Sequence, residues 1–198
     1  MKKKRTRLLL IFTLIISPLL LIGVALSCGI IGIFYNYATY VDDVEGITAL
    51  QAWDIAEPIA NNWDPDGYLF RVAGERLHHN DDGTGPFWRF EYYGRNLNQS
   101  VRIVVDTKSG RIENTHNGFP TSAIVNWTMD SPEVVTIAMA HPNYTTIKDE
   151  YRDIHVSGIV LVNNGGTNIW SVDFDAGTIG HYKGLDIHID DATGTVLW

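Results

Sequence analysis

The chain has 198 residues and a formal net charge of −8 at pH 7, with 15 Lys and Arg against 23 Asp and Glu. Five of the basic residues fall within residues 1–7, so the rest of the chain carries 10 basic and 23 acidic side chains, a net charge of −13. An acidic excess of this size repels phosphate backbones and anionic headgroups, which argues against nucleic-acid binding. The single cysteine, Cys28, excludes an internal disulfide and a zinc site with several thiolates.

The N-terminal segment is predicted to anchor the chain in a membrane. Residues 1–7 form a basic cytoplasmic tail, and residues 8–35 form an apolar run longer than the roughly 20 residues needed to cross a bilayer. The basic flank predicts a single-pass plasma-membrane protein whose C-terminal part is extracytoplasmic, with residues 36–47 as a juxtamembrane linker. Two alternatives stay open, namely cleavage of a signal peptide and lipidation of Cys28.

The acidic part of the sequence contains two related segments. Trp88 and Trp170 lie 82 positions apart and occupy matching places in the two segments. Both segments end in the pattern Asp-x-x-[Ser/Thr]-Gly-x-[Ile/Val], once as DTKSGRI and once as DDATGTV. The repetition predicts two tandem units, 48–113 and 130–198, joined by a linker at 114–129.

Each unit opens with a predicted helix. In the first, Thr48 and Gln51 have the spacing of a capping box. One apolar face follows at helical spacing, made by Leu50, Trp53, Ala56, Ala60 and Trp63. Pro58 removes a helical hydrogen bond, so we expect a kink or an early end there. In the second helix, Ser131 is the predicted cap and His141-Pro142 the predicted stop.

Three strands are predicted after each helix, at 68–77, 87–93 and 101–106 in the first unit and at 154–162, 169–175 and 185–190 in the second. Apolar and polar residues alternate in them, as in Trp88, Phe90 and Tyr92 against Arg89 and Glu91. Such alternation is typical of antiparallel strands with one covered face, and the helix of each unit is the expected cover. The fold class is therefore α+β, with each helix on a sheet of three to four strands.

Turn residues agree with these strands. Asn164-Gly165 is a pair that tight hairpins favour. In the repeated ending, Asp106 and Asp190 are expected to hydrogen-bond the turn backbone, and Gly110 and Gly194 to adopt positive φ. This structural role is favoured over a catalytic role for both Asp residues.

The two units resemble PepSY-type domains, the modules found in propeptides of thermolysin-like proteases and in many bacterial envelope proteins. The family pattern is a helix, a strand with an early Trp, and an apolar strand closing on the repeated ending. It is met here by Trp88, Phe90, Asp106, Ser109, Gly110 and Ile112, and by Trp170, Val172, Asp190, Thr193, Gly194 and Val196. The resemblance implies a cystatin-like fold that binds or inhibits a partner, and it supplies no catalytic residues.

Three groups of residues are candidates for chemistry. The run 78–83, which begins His78-His79, is the main cluster of potential metal ligands, but it lacks calcium-loop spacing and is interpreted as a polar turn. Asp186, His188 and Asp190 share one face of a strand, as a pH-sensitive patch or, preferably, a solvated surface. A third group, Trp53, Trp88 and Trp170, either lines a ligand pocket or fills the core, and the core is preferred.

These observations predict a non-enzymatic extracytoplasmic protein that binds or modulates a protein or peptide partner, with an envelope peptidase as one such partner. No catalytic, cofactor-binding or metal-binding residue is assigned. The alternative is a small-molecule carrier or sensor, and a hydrolase is the least favoured class. Any specificity is expected where the two units diverge, at 78–86, 176–184 and 114–129.

Overall fold

Seven strands and three helices are formed by the residues that the computed structural model describes, which are 45–74, 80–117, 122–178 and 181–197. The helices are α1 (Ala49–Trp63), α2 (Ser131–Met139) and α3 (Pro142–Glu150). The strands are β1 (Tyr68–Gly74), β2 (Phe87–Gly94), β3 (Gln99–Asp106), β4 (Gly110–His116), β5 (His155–Asn164), β6 (Thr167–Thr178) and β7 (His181–Asp190). Six of these strands were predicted, whereas β4 was placed in the end of the first unit and the linker.

All seven strands belong to one antiparallel sheet in the order β4-β3-β2-β1-β5-β6-β7. The two halves join at β1 and β5, where Val72 pairs with Leu161 and Ala73 pairs with Val160. The prediction of two tandem cystatin-like or PepSY-like units is therefore wrong. Separate units would leave β1 and β5 as edges with unpaired N–H and C=O groups, and their pairing satisfies those groups inside a single sheet.

The helices and one face of the sheet enclose a continuous core. On this face the sheet contributes Trp88 and Trp170, both 0% exposed. The helix α1 packs on β2, β3 and β4, and α2 packs on β6 and β7. The opposite face, called the open face below, includes Ala73 and Val104, which lie outside the core cluster. In the described residues the helices cover one face of the sheet, as predicted, although they cover one sheet and not two.

The helix α1 lies close to the sheet because its buried residues are alanines. Ala49, Ala52, Ala56 and Ala60 are buried, whereas the larger Trp53 and Trp63 of the predicted face are only partly buried. The capping box of Thr48 and Gln51 is confirmed. The early end expected at Pro58 is wrong, because the helix continues to Trp63. Pro58 is exposed, so water can bond the carbonyl that it leaves without a donor.

The first turns of α1 and α2 meet and share caps. The carboxylate of Asp130 accepts hydrogen bonds from Leu50 N at 3.0 Å and from Ser131 N at 2.8 Å. Ser131 Oγ accepts another from Ala49 N at 3.0 Å. The cap of α2 is thus Asp130 and not the predicted Ser131. One carboxylate placed at two helix N-termini stabilises both, and it ties the two halves of the sequence together.

The prediction that α2 stops at His141-Pro142 is confirmed, but the chain forms a second helix there. His141 caps α3, and Pro142 occupies its first turn. A proline has no N–H to lose at that position, so the same dipeptide ends one helix and begins the next.

The predicted roles of the turn aspartates are confirmed. Asp106 Oδ1 accepts from the backbone N of Lys108 and Ser109, at 2.9 and 2.7 Å. Asp190 Oδ1 accepts from the backbone N of Ala192 and Thr193, at 3.0 and 2.9 Å, as the matching ending requires. Both carboxylates therefore hold the turns in which they lie.

The glycines of the two endings differ from each other. Gly194 has φ +67°, as predicted, whereas Gly110 is not among the residues with positive φ. A side chain at Gly110 would instead come within 2.7 Å of Ile59 Cδ1, so this glycine makes room for α1. At the hairpin between β5 and β6 the two turn residues are Gly165 and Gly166, one position beyond the predicted pair.

The predicted basic tail, the membrane-spanning helix at 8–35 and nearly all of the linker at 36–47 lie outside the described residues. Among the helices of the described part, none is long and apolar enough to cross a bilayer.

Candidate functional site

The open face carries an ion-pair network on β1 to β4. Glu91 is 8% exposed and accepts from Arg102 Nε and Nη2 at 3.2 and 3.0 Å, and Arg71 Nη1 lies 3.5 Å from the same carboxylate. Arg102 Nη1 also lies 3.5 Å from Glu113 on β4. Two neighbouring guanidinium groups therefore balance the negative charge of Glu91, and the network has a structural role in the sheet.

A second polar cluster lies on β6 and β7, where a patch was predicted. Ser171 Oγ donates to Asp186 Oδ1 at 2.6 Å, and His188 Nε2 lies 2.9 Å from Asp186 Oδ2. The third predicted member, Asp190, is directed into its own turn. A serine nucleophile needs a base that takes its proton, usually an imidazole, but here the carboxylate stands between hydroxyl and imidazole. This order does not favour acyl-transfer chemistry.

The predicted metal ligands His78 and His79 lie outside the described residues. The described part of that segment is a polar turn, in which Asp82 Oδ1 accepts from Thr84 N and Oγ1 at 2.9 and 2.7 Å. Asp81 Oδ1 accepts from Val156 N on β5 at 3.2 Å. In the ranges that the structure covers, no group of three His, Cys, Asp or Glu side chains is arranged to hold a metal ion.

The tryptophans proposed as pocket residues lie in the core or pack against it. Trp127 lies between Trp53 and Trp170, with ring centroids 5.6 and 5.8 Å away. The indole N–H groups donate within the protein, from Trp53 to Tyr92 Oη at 3.1 Å, from Trp88 to Ile47 O at 2.8 Å and from Trp170 to Asp191 Oδ1 at 3.0 Å. These bonds leave no indole donor of the three for a ligand, which favours the core role.

Two buried carboxylates, which the sequence did not single out, fix loops at the ends of strands. Asp191 is 1% exposed and accepts from Thr128 N and Met129 N at 3.0 and 3.1 Å, besides the bond from Trp170. Asp64 is 3% exposed and accepts from Asn96 N and Nδ2, both at 2.9 Å. The linker predicted to carry specificity is thus attached to the sheet at Asp191.

The pKa of Asp64 reflects two opposed effects. Burial alone would raise the pKa of this carboxyl, but the hydrogen bonds from Asp66, Asn96 and Leu97 favour the charged form. The net result is a pKa below the ordinary value of 3.8. The donors around Asp64 therefore stabilise its charged form more than burial destabilises it.

Within the described ranges, the strand β4 is a sheet edge without a neighbouring strand. Residues 111–116 are all exposed, and β4 pairs only with β3 among the described strands. Ile112 has 44% of its surface exposed, although it is a large apolar residue in a strand. The opposite edge, β7, is partly covered, because Val196 bridges Ile189 and Leu197 N donates to His188 O at 2.8 Å.

The hydrogen-bonding direction along β4 follows from the turn before it. Asp106 N donates to Ser109 O at 2.9 Å, so these two residues face each other across the turn. Residues of an antiparallel ladder then alternate, so the backbone groups of Arg111 face β3 and those of Gly110 and Ile112 face outwards. The peptide groups of Ile112 thus point to the side where another strand would add.

The sequence offered little indication of this edge. The segment GRIENTH has one large apolar residue and no alternation, so it resembles a turn or linker more than a strand. Its charged residues and its bulge at Glu113, where the register shifts, are typical of an edge strand. The one feature that indicates a strand here is the position of the segment, directly after a turn motif that follows an apolar strand.

Comparisons with known proteins add little. No family model and no curated protein matches the chain. A crystal structure of a putative lipoprotein from Clostridium difficile is similar at 13% sequence identity and a TM-score of 0.49, over 81% of this chain and 95% of that one. The resemblance to PepSY-type domains therefore stays a prediction, which depends on the two short endings and their tryptophans.

Proposed function

We propose that the protein is a non-enzymatic binding module of the cell envelope that holds a protein partner by strand addition at β4. The observation that carries this proposal is the exposed edge of β4, with an outward-facing peptide at Ile112. Unpaired N–H and C=O groups on a sheet edge bind an extended segment through main-chain hydrogen bonds, and neighbouring side chains select the segment. An envelope peptidase is the partner class that the PepSY resemblance implies.

Two features support an extracytoplasmic binding role over catalysis. The basic residues 1–7 and the apolar run after them are typical of exported chains, and the acidic remainder suits an exposed domain. The cluster of Ser171, Asp186 and His188 has its carboxylate between the hydroxyl and the imidazole, where the imidazole cannot take the hydroxyl proton.

A carrier of small molecules is the weaker candidate. It needs the tryptophans to line a cavity, and Trp88 and Trp170 are both 0% exposed with their indole N–H groups bonded inside the protein. These contacts favour a filled interior.

Site-specific photo-crosslinking in intact cells tests the binding edge. A photoreactive amino acid replaces Thr115 on β4 or Leu97, which lies in the turn after β2 and is 46% exposed. We expect a covalent protein adduct from position 115 and none from position 97. Adducts from both positions in equal yield, or from neither, would contradict the proposal.

A proline substitution is the matched test of the binding mode. Ile112→Pro removes an outward N–H of β4 but no bond to β3, because prolines are tolerated on edge strands whose N–H faces solvent. The adduct at position 115 should fall strongly in this variant while the melting temperature changes little. An unchanged adduct would mean that the partner does not add as a strand.

A further inference from the structure

The edge strand β4 is complementary to itself. Around Ile112 the sequence reads Arg111-Ile112-Glu113, with opposite charges on either side of an apolar residue. If two copies of β4 pair in antiparallel orientation with Ile112 opposite Ile112, each Arg111 lies beside Glu113 of the other copy, the residue at which β4 bulges. Opposite charges in neighbouring cross-strand positions stabilise a strand pair, and like charges destabilise it.

The directions of the backbone and the side chains fit this pairing. The peptide groups of Ile112 face outwards, which is the condition for the central hydrogen-bonded pair of such a ladder. Arg111 is opposite Val104, a residue of the open face, and Glu113 lies 3.5 Å from Arg102 of the same face. Arg111 and Glu113 are therefore on one side of the new ladder, with Ile112 on the other.

Other registers lack this complementarity. A pair centred on Arg111 places two guanidinium groups opposite each other, which is unfavourable. A pair centred on Asn114 places Glu113 opposite Thr115 and Ile112 opposite His116, so no acidic residue faces a basic one. The register centred on Ile112 also buries the exposed Ile112 side chains against each other. We propose that the occupant of the β4 edge is a second copy of this chain, paired in this register, and not the peptidase that the PepSY resemblance implies; the inference depends on the proposed binding function.

Disulfide trapping tests the register. In a Cys28→Ser background, Ile112→Cys places two cysteines about 5.5 Å apart between Cα atoms in the paired state, which is within the range that a disulfide spans. Mild oxidation of cells that make the full chain should give a disulfide-linked dimer. The control Leu97→Cys, of nearly equal exposure, should not. Equal yields from both positions, or no dimer from position 112, would overturn the self-pairing.

Charge reversal tests the complementarity. Arg111→Glu turns two attractive pairs into two repulsive ones and should weaken the dimer about tenfold. The double variant Arg111→Glu with Glu113→Arg should restore it. Chains carrying only Arg111→Glu should also pair with chains carrying only Glu113→Arg better than either pairs with itself. If the double variant dimerises as weakly as Arg111→Glu, the register is wrong. The single variant Arg111→Glu leaves the Arg102–Glu113 ion pair intact, so its result remains informative even if Glu113→Arg unfolds the protein.

The mass of the photo-crosslinked product separates this inference from the proposed function. A product of twice the chain mass supports self-pairing. A product with a different protein alone leaves the binding function in place and removes the second copy as occupant. The lack of any product from position 115 removes both.

Discussion

Single carboxylates hold the ends of the strands in this protein, and they differ in how visible they are in the sequence. Asp106 and Asp190 bond amides two and three residues away, so the local pattern Asp-x-x-[Ser/Thr]-Gly predicts them. Asp64 and Asp191 bond loops that are 32 and 63 positions away along the chain, as in the bonds from Asn96 and Thr128. A local sequence pattern cannot indicate donors so far along the chain, so the sequence did not predict the roles of Asp64 and Asp191.

The lowered pKa of Asp64 predicts a dependence of stability on pH. Because the folded-state pKa is below the unfolded value, the unfolded chain takes up the proton first as the pH falls. The stabilising contribution is therefore complete well above pH 4, and it is lost as the pH falls through the unfolded value towards the folded one. Asp64→Asn should lower the melting temperature at neutral pH and flatten the fall in stability below pH 4.

Urea unfolding at pH 7 and at several values between pH 4 and pH 2 measures this effect. Asp149→Asn, an exposed substitution in α3, is the control for the loss of one negative charge. If Asp64→Asn and Asp149→Asn give the same pH profile, the hydrogen bonds around Asp64 do not set its pKa.

At the scale of elements, the sequence pattern predicts the strands that have a buried face and misses the strand that has none. The strands around Trp88 and Trp170 were placed correctly because one face of each is buried. The edge strand β4 has no buried face, so its residues carry no alternation. The same limit applies to α3, where Tyr144 and Ile147 are its buried residues and the rest is exposed or partly so.

The alanine side of α1 predicts a strong dependence on side-chain volume. Ala56 is 0% exposed, and a larger residue there must push the helix away from the sheet or clash with it. Ala56→Leu should reduce the free energy of unfolding by about 1–3 kcal/mol, the usual cost of overpacking. Chemical denaturation monitored by tryptophan fluorescence measures the change.

The neighbouring Glu57 provides the control for α1. It is exposed, so Glu57→Leu introduces the same side chain on the solvent side of the helix and should change stability by less than about 0.5 kcal/mol. Equal effects of the two substitutions would show that α1 does not pack through its alanines.

For the whole molecule, the sequence does not show how the two halves are related. Internal repetition suggested two units, and the matching Trp88 and Trp170 do occupy one face. The pairing of β1 with β5 depends on two strands 89 positions apart, as for Val72 and Leu161. Nothing in the sequence of β1 or β5 indicates whether the strand pairs within its own half or with a strand of the other half.

A single sheet and a single core predict that the two halves unfold together. Leu161 is 0% exposed at the junction, and Leu161→Ala should reduce stability by about 2–5 kcal/mol. Because the core is continuous, amides in β3 and in β6 should lose protection in parallel. Hydrogen exchange on both strands tests this, and a loss of protection confined to β5, β6 and β7 would indicate halves that are independent.

The junction between β1 and β5 also has a consequence for the growing chain. During synthesis β1 is made well before β5, since Leu161 follows its partner Val72 by 89 residues. Until that point the N-terminal half can fold only as a sheet ending in an unpaired β1. A β5 from a neighbouring chain that has not yet folded offers the same partner, so a high local concentration of unfolded chains would favour exchange of halves between chains. The time that a chain spends with β1 formed and β5 unpaired therefore matters for closing the sheet within one chain.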